Sequence, residues 1–256
     1  MTRQRAQGRA RPNPVGLGAV IGGPHLSVVI PCFNEEGRLP DALRSIIPYL
    51  AARGAGFELI LVDDGSTDGT LAVMRAAAME HESVRVVAVA PNQGKGWALA
   101  AGVLVSSGEE VLVSDCDFST PVTELPKLEL ALQDGADVAI ASRAKRASRV
   151  EVSQPIYRVL MGKVFNLIVQ AVLLPGLWDT QCGFKLFRGE VARDLFARIR
   201  TGGFGYDIEV LYLARRDKHT IAEVPVRWLN SAPTKVAAVR HSAEMFLDIF
   251  RIRLRH

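Results

Sequence analysis

Residues 57–64 read FELILVDD, an unbroken apolar run that ends in two aspartates. A short run of this kind, with β-branched and aromatic members, is typical of a strand buried on both faces. A segment with helical spacing follows at 68–82, and a second apolar run, VRVVAVA, occupies 84–90. A strand, a helix and another strand in this order predict two parallel strands joined by a crossover helix.

The same alternation extends to both sides of this unit. Strands are predicted for LSVVIP (26–31), EVLVSD (110–115) and ADVAIAS (136–142), and helices for 35–51, 94–107 and 122–134. Near-continuous apolar strands alternating with helices indicate an α/β fold of the Rossmann-like type. We therefore expect a mostly parallel central sheet with helices on both faces.

The pattern loosens after residue 150. We predict a helix over 155–173, a strand or turn over 182–187, helices over 189–199 and 206–216, a strand over 220–228 and an amphipathic helix over 238–254. Residues 1–24 are rich in Arg, Gly and Pro and have no periodicity, which predicts a disordered arm. The expected organisation is this arm, one α/β domain over 25–236 and a C-terminal amphipathic helix over 237–256.

Charge and cysteine content exclude several classes of protein. The net charge of +4 comes from four arginines in the first 34 residues, and basic and acidic residues balance in the rest of the chain. A neutral body argues against a nucleic-acid-binding protein. The three cysteines are far apart, which fits neither a disulfide framework nor a zinc site and favours a reducing cytosol. We find no apolar run long enough to span a membrane.

Two carboxylates stand where the fourth strand should end, in VLVSDCDFSTP (111–121). Asp115 and Asp117 are two residues apart, so in an extended segment both side chains point the same way. Two hard oxygen ligands at an open site suit Mg²⁺ or Mn²⁺, which often take substrate phosphate oxygens as further ligands. The alternative is a solvated turn that opens the next helix.

Polar motifs also follow the first three strands, as PCFNE, DDGSTD and NQGKG. In parallel α/β sheets, ligands bind at the carboxyl ends of the strands, so these loops should converge on one site. Asp64 could accept hydrogen bonds from a base or a ribose. Ser66, Thr67 or Asp68 could be an ordinary helix cap, and both roles can hold, with Asp68 capping and Asp64 binding. The glycines around Lys95 permit close approach of an anion, but the motif is not a P-loop. The five histidines are scattered, and no nucleophile elbow appears.

Seven segments resemble the family 2 glycosyltransferases of the GT-A fold: LSVVIPCFNEEGRLPDAL, LILVDDGSTDGT, NQGKGWALAAG, SDCDFSTP, IASRA, DTQCGFKLF and GYDIEVLYLARR. The resemblance covers about residues 26–250. DTQCGFKLF with YDIEVLYLA is similar to the dolichyl- and polyprenyl-phosphate sugar synthases, with the β-glucosyltransferase branch nearest. It implies an inverting transfer of a hexose, glucose in this branch, from a nucleotide-sugar such as UDP-glucose to a polyprenyl phosphate.

The resemblance also implies roles for individual residues. The residues that match the family's donor-binding positions lie in the first three loops, in the D-x-D segment Asp115-Cys116-Asp117, and at two later basic residues. They are Pro31, Phe33, Glu35, Asp63, Asp64, Lys95, Asp115, Cys116, Arg143 and Lys235. Asp115 and Asp117 match the metal-binding acids, with Asp117 as the direct ligand and a catalytic residue. Asp179 and Lys185 lie where the family lines the acceptor side, and Asp207 joins them as a candidate.

The implied chemistry is consistent with these residue types. A nucleoside diphosphate leaves only if its charge is neutralised, and a divalent ion with Arg143, Lys235 and Lys95 could do this. A lipid phosphate acceptor is already ionised and needs no base. A hydroxyl acceptor would need one, for which Asp179 and Asp207 are candidates unless they are caps or ion-pair partners.

A lipid acceptor also implies a peripheral contact at the cytoplasmic face of a membrane. The last helix interleaves Phe246, Ile249 and Phe250 with arginines, a pattern that suits an anionic lipid surface. Alternatively, this helix only packs on the core.

Three other functions remain open at this stage. The chain could be a soluble family 2 enzyme that glycosylates a small molecule or a protein, or a nucleotide-sugar-binding module without turnover. A nucleotidyltransferase can share the sheet but usually opens on a glycine-rich phosphate loop, and PCFNEEG is not one.

Overall fold

The computed structural model describes residues 23–150, 156–229 and 238–256, with side chains described for 23–150, 161–229 and 245–256. The strands are β1 (Leu26–Cys32), β2 (Phe57–Asp64), β3 (Val84–Val89), β4 (Glu110–Val113), β5 (Val138–Ser142), β6 (Arg149–Val150), β7 (Lys185–Arg188), β8 (Ile221–Pro225) and β9 (Arg227–Trp228). The helices are α1 (Leu39–Ala52), α2 (Thr70–Glu80), α3 (Lys95–Leu104), α4 (Leu125–Gln133), α5 (Ile156–Val172), α6 (Gly189–Phe196), α7 (Tyr206–Arg216) and α8 (Ala238–Arg255). A 3₁₀ turn, Val122–Glu124, leads into α4.

Seven strands form the central sheet, in the order β3-β2-β1-β4-β7-β5-β8. Every neighbouring pair is parallel except the two that involve β7, which runs antiparallel to β4 and to β5. The sequence prediction of a mostly parallel sheet is confirmed. The carboxyl ends of the other six strands therefore lie along one edge of the sheet.

Alternation along the strands explains the two layers of helices. In β2, Ile60 and Val62 belong to one buried cluster, with side chains of α3, α5, α6, α7 and α8. Leu59 and Leu61 point to the opposite face and join a second cluster with α1, α2 and α4. Both faces of β2 are covered in this way, which is why its sequence is apolar without interruption.

One predicted strand is divided in the structure, and one short strand was not predicted. The strand expected over 220–228 is divided, because β8 ends at Pro225, which has no N–H to continue the ladder. The residues that follow form β9, which pairs in parallel with β6 in a separate two-stranded sheet. Strand β6 could not be predicted, because two exposed residues carry no periodicity.

The last helix packs on the core and also exposes an apolar side. Ile249 and Ile252 of α8 are fully buried in the first cluster, whereas Leu247, Phe250 and Leu254 are exposed. Within the described part of the chain, no helix is both long and apolar enough to span a membrane.

Candidate active site

The loops after β1 and β2 are joined by hydrogen bonds at the carboxyl edge of the sheet. The backbone N–H of Asn34 donates to Ser66 Oγ at 3.0 Å, and the N–H of Thr67 donates to Asn34 Oδ1 at 2.8 Å. The N–H of Glu35 donates to Thr70 Oγ1 at 2.7 Å. The first loop, which includes the exposed Phe33, is thus fixed against the start of α2, and the half-buried Pro31 lies at the end of β1.

Asp64 holds the third loop in place. Its carboxylate accepts hydrogen bonds from the backbone N–H groups of Gln93 and Gly94, both at 2.9 Å, and from the side-chain amide of Asn92 at 3.0 Å. Burial raises the pKa of Asp64 above its ordinary value, although the two backbone hydrogen bonds act in the opposite direction. Asp63 is also buried, and its carboxylate accepts the N–H of Ser66 at 3.2 Å.

The third loop lies against the segment before α7. Gly94 has a φ of 102°, and a side chain there would approach the carbonyl oxygen of Gly202 to 2.5 Å. The N–H of Gly96 donates to the same carbonyl at 2.7 Å. Only glycine tolerates both a positive φ and such a close approach of two backbones. The glycines around Lys95, which the sequence analysis associated with the approach of an anion, here hold the third loop against the segment before α7.

Asp115 lies between Lys95 and Gly183. The Lys95 ammonium is 2.5 Å from Asp115 Oδ1. On the other side, a Cβ added to Gly183 would be 2.1 Å from Asp115 Oδ2, so the carboxylate rests on bare backbone. The Lys95 ammonium also lies 6.0 Å from the ring centroid of Phe204 and 5.7 Å from that of Tyr206.

Asp117 is part of the same turn. One of its carboxylate oxygens accepts the N–H of Ser119 at 2.9 Å, and the side chain is partly exposed. Cys116, between the two acids, is buried and lies beside Cys32, whose pKa is raised first by its hydrogen bond to Cys116 and then by burial.

Asp115 and Asp117 are chemically suited to Mg²⁺ or Mn²⁺. The described residues include no group of three or more His, Cys, Asp or Glu that could enclose a metal ion. Mg²⁺ is usually held by one or two carboxylates together with waters and substrate phosphates, not by a full protein cage. A pair of partly exposed carboxylates at a sheet edge fits that donor set.

Arg143 and Asp179 form a tight ion pair beside β5. The guanidinium donates to both carboxylate oxygens at 2.7 and 2.8 Å, and the backbone N–H of Arg143 adds a third hydrogen bond at 2.8 Å. Burial alone would raise the pKa of Asp179, but the charge and hydrogen bonds of Arg143 hold it below its ordinary value. The guanidinium also stacks over Trp228 of β9, 5.5 Å from the ring centroid.

Lys185 and Asp207 form a second ion pair, which is buried. The ammonium of Lys185 is in direct contact with an Asp207 carboxylate oxygen and donates to the carbonyl of Cys182 at 2.7 Å. The Lys185 side chain is fully buried. This pair ties the start of β7 to the start of α7 and thereby fixes the turn that contains Gly183.

The structure brings most of the sequence-predicted site residues to one edge of the sheet. Lys235 lies outside the described residues. Sequence reasoning missed the aromatic side chains next to the cations, namely Trp228 over Arg143 and Phe204 and Tyr206 near Lys95. The segment GGFGYD (202–207), where glycines flank an aromatic residue before a helix, was the available indication.

The comparison with known families agrees with this geometry. The family described as glycosyl transferase family 2 matches residues 27–196, more than half of the chain. The chain belongs to the family 2 glycosyltransferases. The matched region runs from β1 to α6. It includes Lys95, both acids of the D-x-D motif and the ion pair of Arg143 with Asp179.

Several curated proteins are similar to this glycosyltransferase over most of its length. The dolichyl-phosphate β-glucosyltransferases of Drosophila melanogaster and Homo sapiens are each 35% identical over 90% of this chain and 75% of their own length. The enzyme of the same name from Saccharomyces cerevisiae is 32% identical, with 90% and 74% covered.

Solved structures share the fold of this glycosyltransferase. Glucosyl-3-phosphoglycerate synthase from Mycobacterium tuberculosis, in complex with Mn²⁺, UDP-glucose and phosphoglyceric acid, superposes with a TM-score of 0.69 at 22% identity. The match covers 90% of this chain and 80% of that one. At this level of identity the likeness shows the GT-A fold.

Proposed function

We propose that this glycosyltransferase transfers glucose from UDP-glucose to the phosphate of a dolichyl or polyprenyl phosphate, with inversion at the anomeric carbon. The observation that carries the proposal is the 35% identity to dolichyl-phosphate β-glucosyltransferases, which extends over 90% of the chain. That similarity reaches beyond residues 27–196, which the family 2 model matches, and takes in the segment that holds Asp207.

The donor is proposed to bind at the loops after β1, β2, β3 and β4. Phe33 and Glu35 belong to the first loop, whereas Pro31 and Asp63 lie at the carboxyl ends of β1 and β2. Because the Asp64 carboxylate already accepts three hydrogen bonds from residues 92–94, its contribution is to shape the loop that carries Lys95. The Lys95 ammonium then faces the diphosphate from the start of α3.

Asp115 and Asp117, with Cys116 between them, would hold a Mg²⁺ or Mn²⁺ ion. Such an ion, when bound, neutralises charge on the departing diphosphate. Asp117, whose carboxylate is fixed by the N–H of Ser119, is proposed as the direct ligand. Lys235 is proposed to add a further positive charge.

Arg143 is proposed to stabilise the diphosphate with its fixed positive charge. The two hydrogen bonds to Asp179 and the ring of Trp228 hold the guanidinium in one orientation, so little reorganisation is needed when negative charge develops. Since both oxygens of Asp179 bond to Arg143, we infer that Asp179 contributes by positioning this arginine. A base is not required, because a lipid phosphate is ionised at neutral pH.

The acceptor is proposed to bind above the segment that contains Asp179 and Lys185. The buried pair of Lys185 and Asp207 holds this segment in place, since the ammonium of Lys185 bonds both to Asp207 and to the carbonyl of Cys182. Gln181 in the same segment contacts Met245 of α8 through its side-chain amide. The acceptor side is therefore next to α8.

A peripheral contact with the cytoplasmic face of a membrane is part of the proposal. Helices α5 and α8 pack together, with the rings of Phe165 and Phe246 edge to face at 5.1 Å. Their exposed apolar side chains are Met161, Val164 and Leu167 on α5 and Leu247, Phe250 and Leu254 on α8. Exposed arginines 251, 253 and 255 alternate with this surface on α8, which suits an anionic lipid layer.

A transfer assay tests the proposed function. The protein is incubated with labelled UDP-glucose, Mn²⁺ and either a polyprenyl phosphate in detergent or 3-phosphoglycerate, and the labelled products are separated. We expect the label to be transferred to the lipid phosphate, and we expect this transfer to stop when the divalent cation is left out. Label transferred only to the soluble acceptor would contradict the lipid assignment, and labelled lipid from GDP-mannose but not UDP-glucose would contradict the donor.

A further inference from the structure

Glu223 is an acid of β8 whose carboxylate lies next to the Arg143–Asp179 pair. Its side chain is only 4% exposed, and its register partner on β5 is Ile140. A carboxylate that is removed from water must be satisfied by donors within the protein. Glu223 has four such donors, and all of them belong to the two segments that carry Arg143 and Asp179.

One oxygen of Glu223 joins the two sides of the ion pair. Oε1 accepts the hydroxyl of Ser142 at 2.8 Å and the backbone N–H of Asp179, also at 2.8 Å. Ser142 is the last residue of β5 and directly precedes Arg143. The carboxylate therefore fixes the residue before the arginine and the backbone of the aspartate at the same point.

The second oxygen of Glu223 faces a cation of its own. The Lys145 ammonium lies 3.3 Å from Oε2, and the backbone N–H of Trp178 donates to both oxygens, at 3.1 and 3.2 Å. Hydrogen bonds to an ionised group are stronger than neutral ones and hold their partners more firmly. Because Lys145 compensates the charge of Glu223, the two acids do not share one cation.

Ser142 also shapes the turn on which Arg143 stands. Its hydroxyl oxygen accepts the backbone N–H of Ala144 at 3.2 Å, while the hydroxyl group donates to Glu223. Ser142 and Ala144 flank the arginine on either side in the sequence. A change at Glu223 would therefore reach the guanidinium by two routes, through Ser142 and through Asp179.

We propose that Glu223 is a positioning residue for glucose transfer, which holds the guanidinium of Arg143 in the orientation that stabilises the departing diphosphate. This inference rests on the proposed function, in which Arg143 supplies that charge. A preorganised donor stabilises charge in the transition state without reorganisation, so a loss of its orientation slows the chemical step. An interaction made only in the transition state changes kcat and leaves KM unaltered.

Steady-state transfer kinetics of Glu223 variants test this role. Glu223→Met removes both acceptor oxygens, and we expect kcat to fall about a hundredfold, as for a displaced catalytic group, with unchanged KM for UDP-glucose and for the lipid phosphate. Glu223→Gln keeps one acceptor oxygen but loses the charge, so we expect kcat to fall about tenfold. Because Glu223→Gln preserves the shape of the side chain, it carries the test if Glu223→Met does not fold.

Glu58→Met and Glu58→Gln are the matched controls. Glu58 is also a buried carboxylate, but it lies near the amino end of β2. It accepts hydrogen bonds from Ser27 Oγ and from the backbone N–H of Ser107, both at 2.6 Å, and it pairs with Arg85. The Glu58 variants should lower the melting temperature as the Glu223 variants do, yet transfer glucose at the wild-type rate. Thermal unfolding also confirms that each variant is folded.

A double-mutant cycle shows whether Glu223 acts through Arg143. Arg143→Gln alone should slow transfer strongly. If Glu223 acts by orienting this guanidinium, then adding Glu223→Gln to Arg143→Gln should lower kcat by less than about twofold more. A further loss of about tenfold in the double variant would show that the two residues act independently, and it would overturn the inference.

The remaining outcomes separate this inference from the proposed function. If Arg143→Gln is slow but the folded Glu223 variants keep the wild-type kcat, or lose no more than the Glu58 variants, the positioning role is overturned and the role of Arg143 stands. If Arg143→Gln transfers glucose at the wild-type rate, the proposed role of Arg143 and this inference fail together.

Discussion

Arg143 and Asp179, which are 36 residues apart in the sequence, are joined by three hydrogen bonds of 2.7–2.8 Å at the edge of the sheet. Two of them run from the guanidinium to both carboxylate oxygens, and the third fixes the backbone at the end of β5. This arrangement makes the arginine a rigid cation in the proposed diphosphate site, and it makes the aspartate a contributor to stability as well as to function.

The stability of the protein should depend on this ion pair. Replacing Asp179 by Asn removes a buried charge that compensates the partly buried guanidinium of Arg143, so we expect a loss of about 3 kcal/mol in the free energy of unfolding. Urea unfolding followed by circular dichroism measures it. Asp217→Asn, which breaks a pair with Arg198 near the surface, is the control and should cost less than about 1 kcal/mol. Equal losses in both variants would contradict the special role of the Arg143–Asp179 pair.

The same pair predicts how stability depends on pH. The pKa of Asp179 is lower in the folded chain than its ordinary value of 3.8, so folding disfavours its protonation. Its stabilising effect is therefore complete above the ordinary pKa and is lost as the pH falls through the folded value. Urea unfolding measures the free energies of unfolding of wild-type protein and of Asp179→Asn between about pH 6 and pH 3. The two free energies should converge toward the acid end. A constant difference across this range would rule out Asp179 as the source.

Gly183 should be essential for the position of Asp115. The Cβ of Gly183→Ala would lie 2.1 Å from Asp115 Oδ2, so the carboxylate must move. A displacement of about 1 Å in a catalytic group can cost about a hundredfold in rate, and we expect a loss of that order in glucose transfer. Gly162→Ala is the matched control, because nothing lies within 4 Å of the added Cβ. Unchanged transfer by Gly183→Ala would show that Asp115 tolerates displacement.

The exposed apolar side of α8 should bind lipid. Phe250→Glu combined with Leu254→Glu places two negative charges on this surface, which would oppose its insertion into an anionic layer. Flotation with anionic liposomes should recover wild-type protein with the vesicles and leave the double variant behind. Met79→Glu on α2 is the control, because Met79 is 88% exposed on another part of the molecule. If the double variant floats like wild-type protein, α8 is not the contact.

Periodicity and strand-end motifs predicted the fold and the position of the site, but not the partners of each side chain. The run from Phe57 to Asp64 was predicted with its observed bounds, because a strand buried on both faces is apolar throughout. The antiparallel insertion of β7 between β4 and β5 could not be predicted, because strand order depends on contacts between segments distant in sequence.

The side-chain contacts in the site were equally hidden in the sequence. The Asp64 carboxylate accepts hydrogen bonds from backbone N–H groups of the third loop, and such contacts leave no trace in residue identity. That Asp64 also binds a base or a ribose stays a prediction. The pairing of Arg143 with Asp179, and of Lys185 with Asp207, requires the three-dimensional arrangement of four separate segments. The residue types indicated the chemistry of the site but not which side chains pair with each other.

The central claim is that a divalent cation at Asp115 and Asp117 holds the diphosphate of the donor. The most direct measurement is a crystal structure with UDP-glucose and Mn²⁺, in which anomalous scattering locates the manganese independently of the refined atoms. The account predicts an anomalous peak in contact with the Asp117 carboxylate and the diphosphate oxygens, at the carboxyl edge of the sheet. A peak elsewhere, or UDP-glucose bound there with both acids turned away from it, would contradict the account.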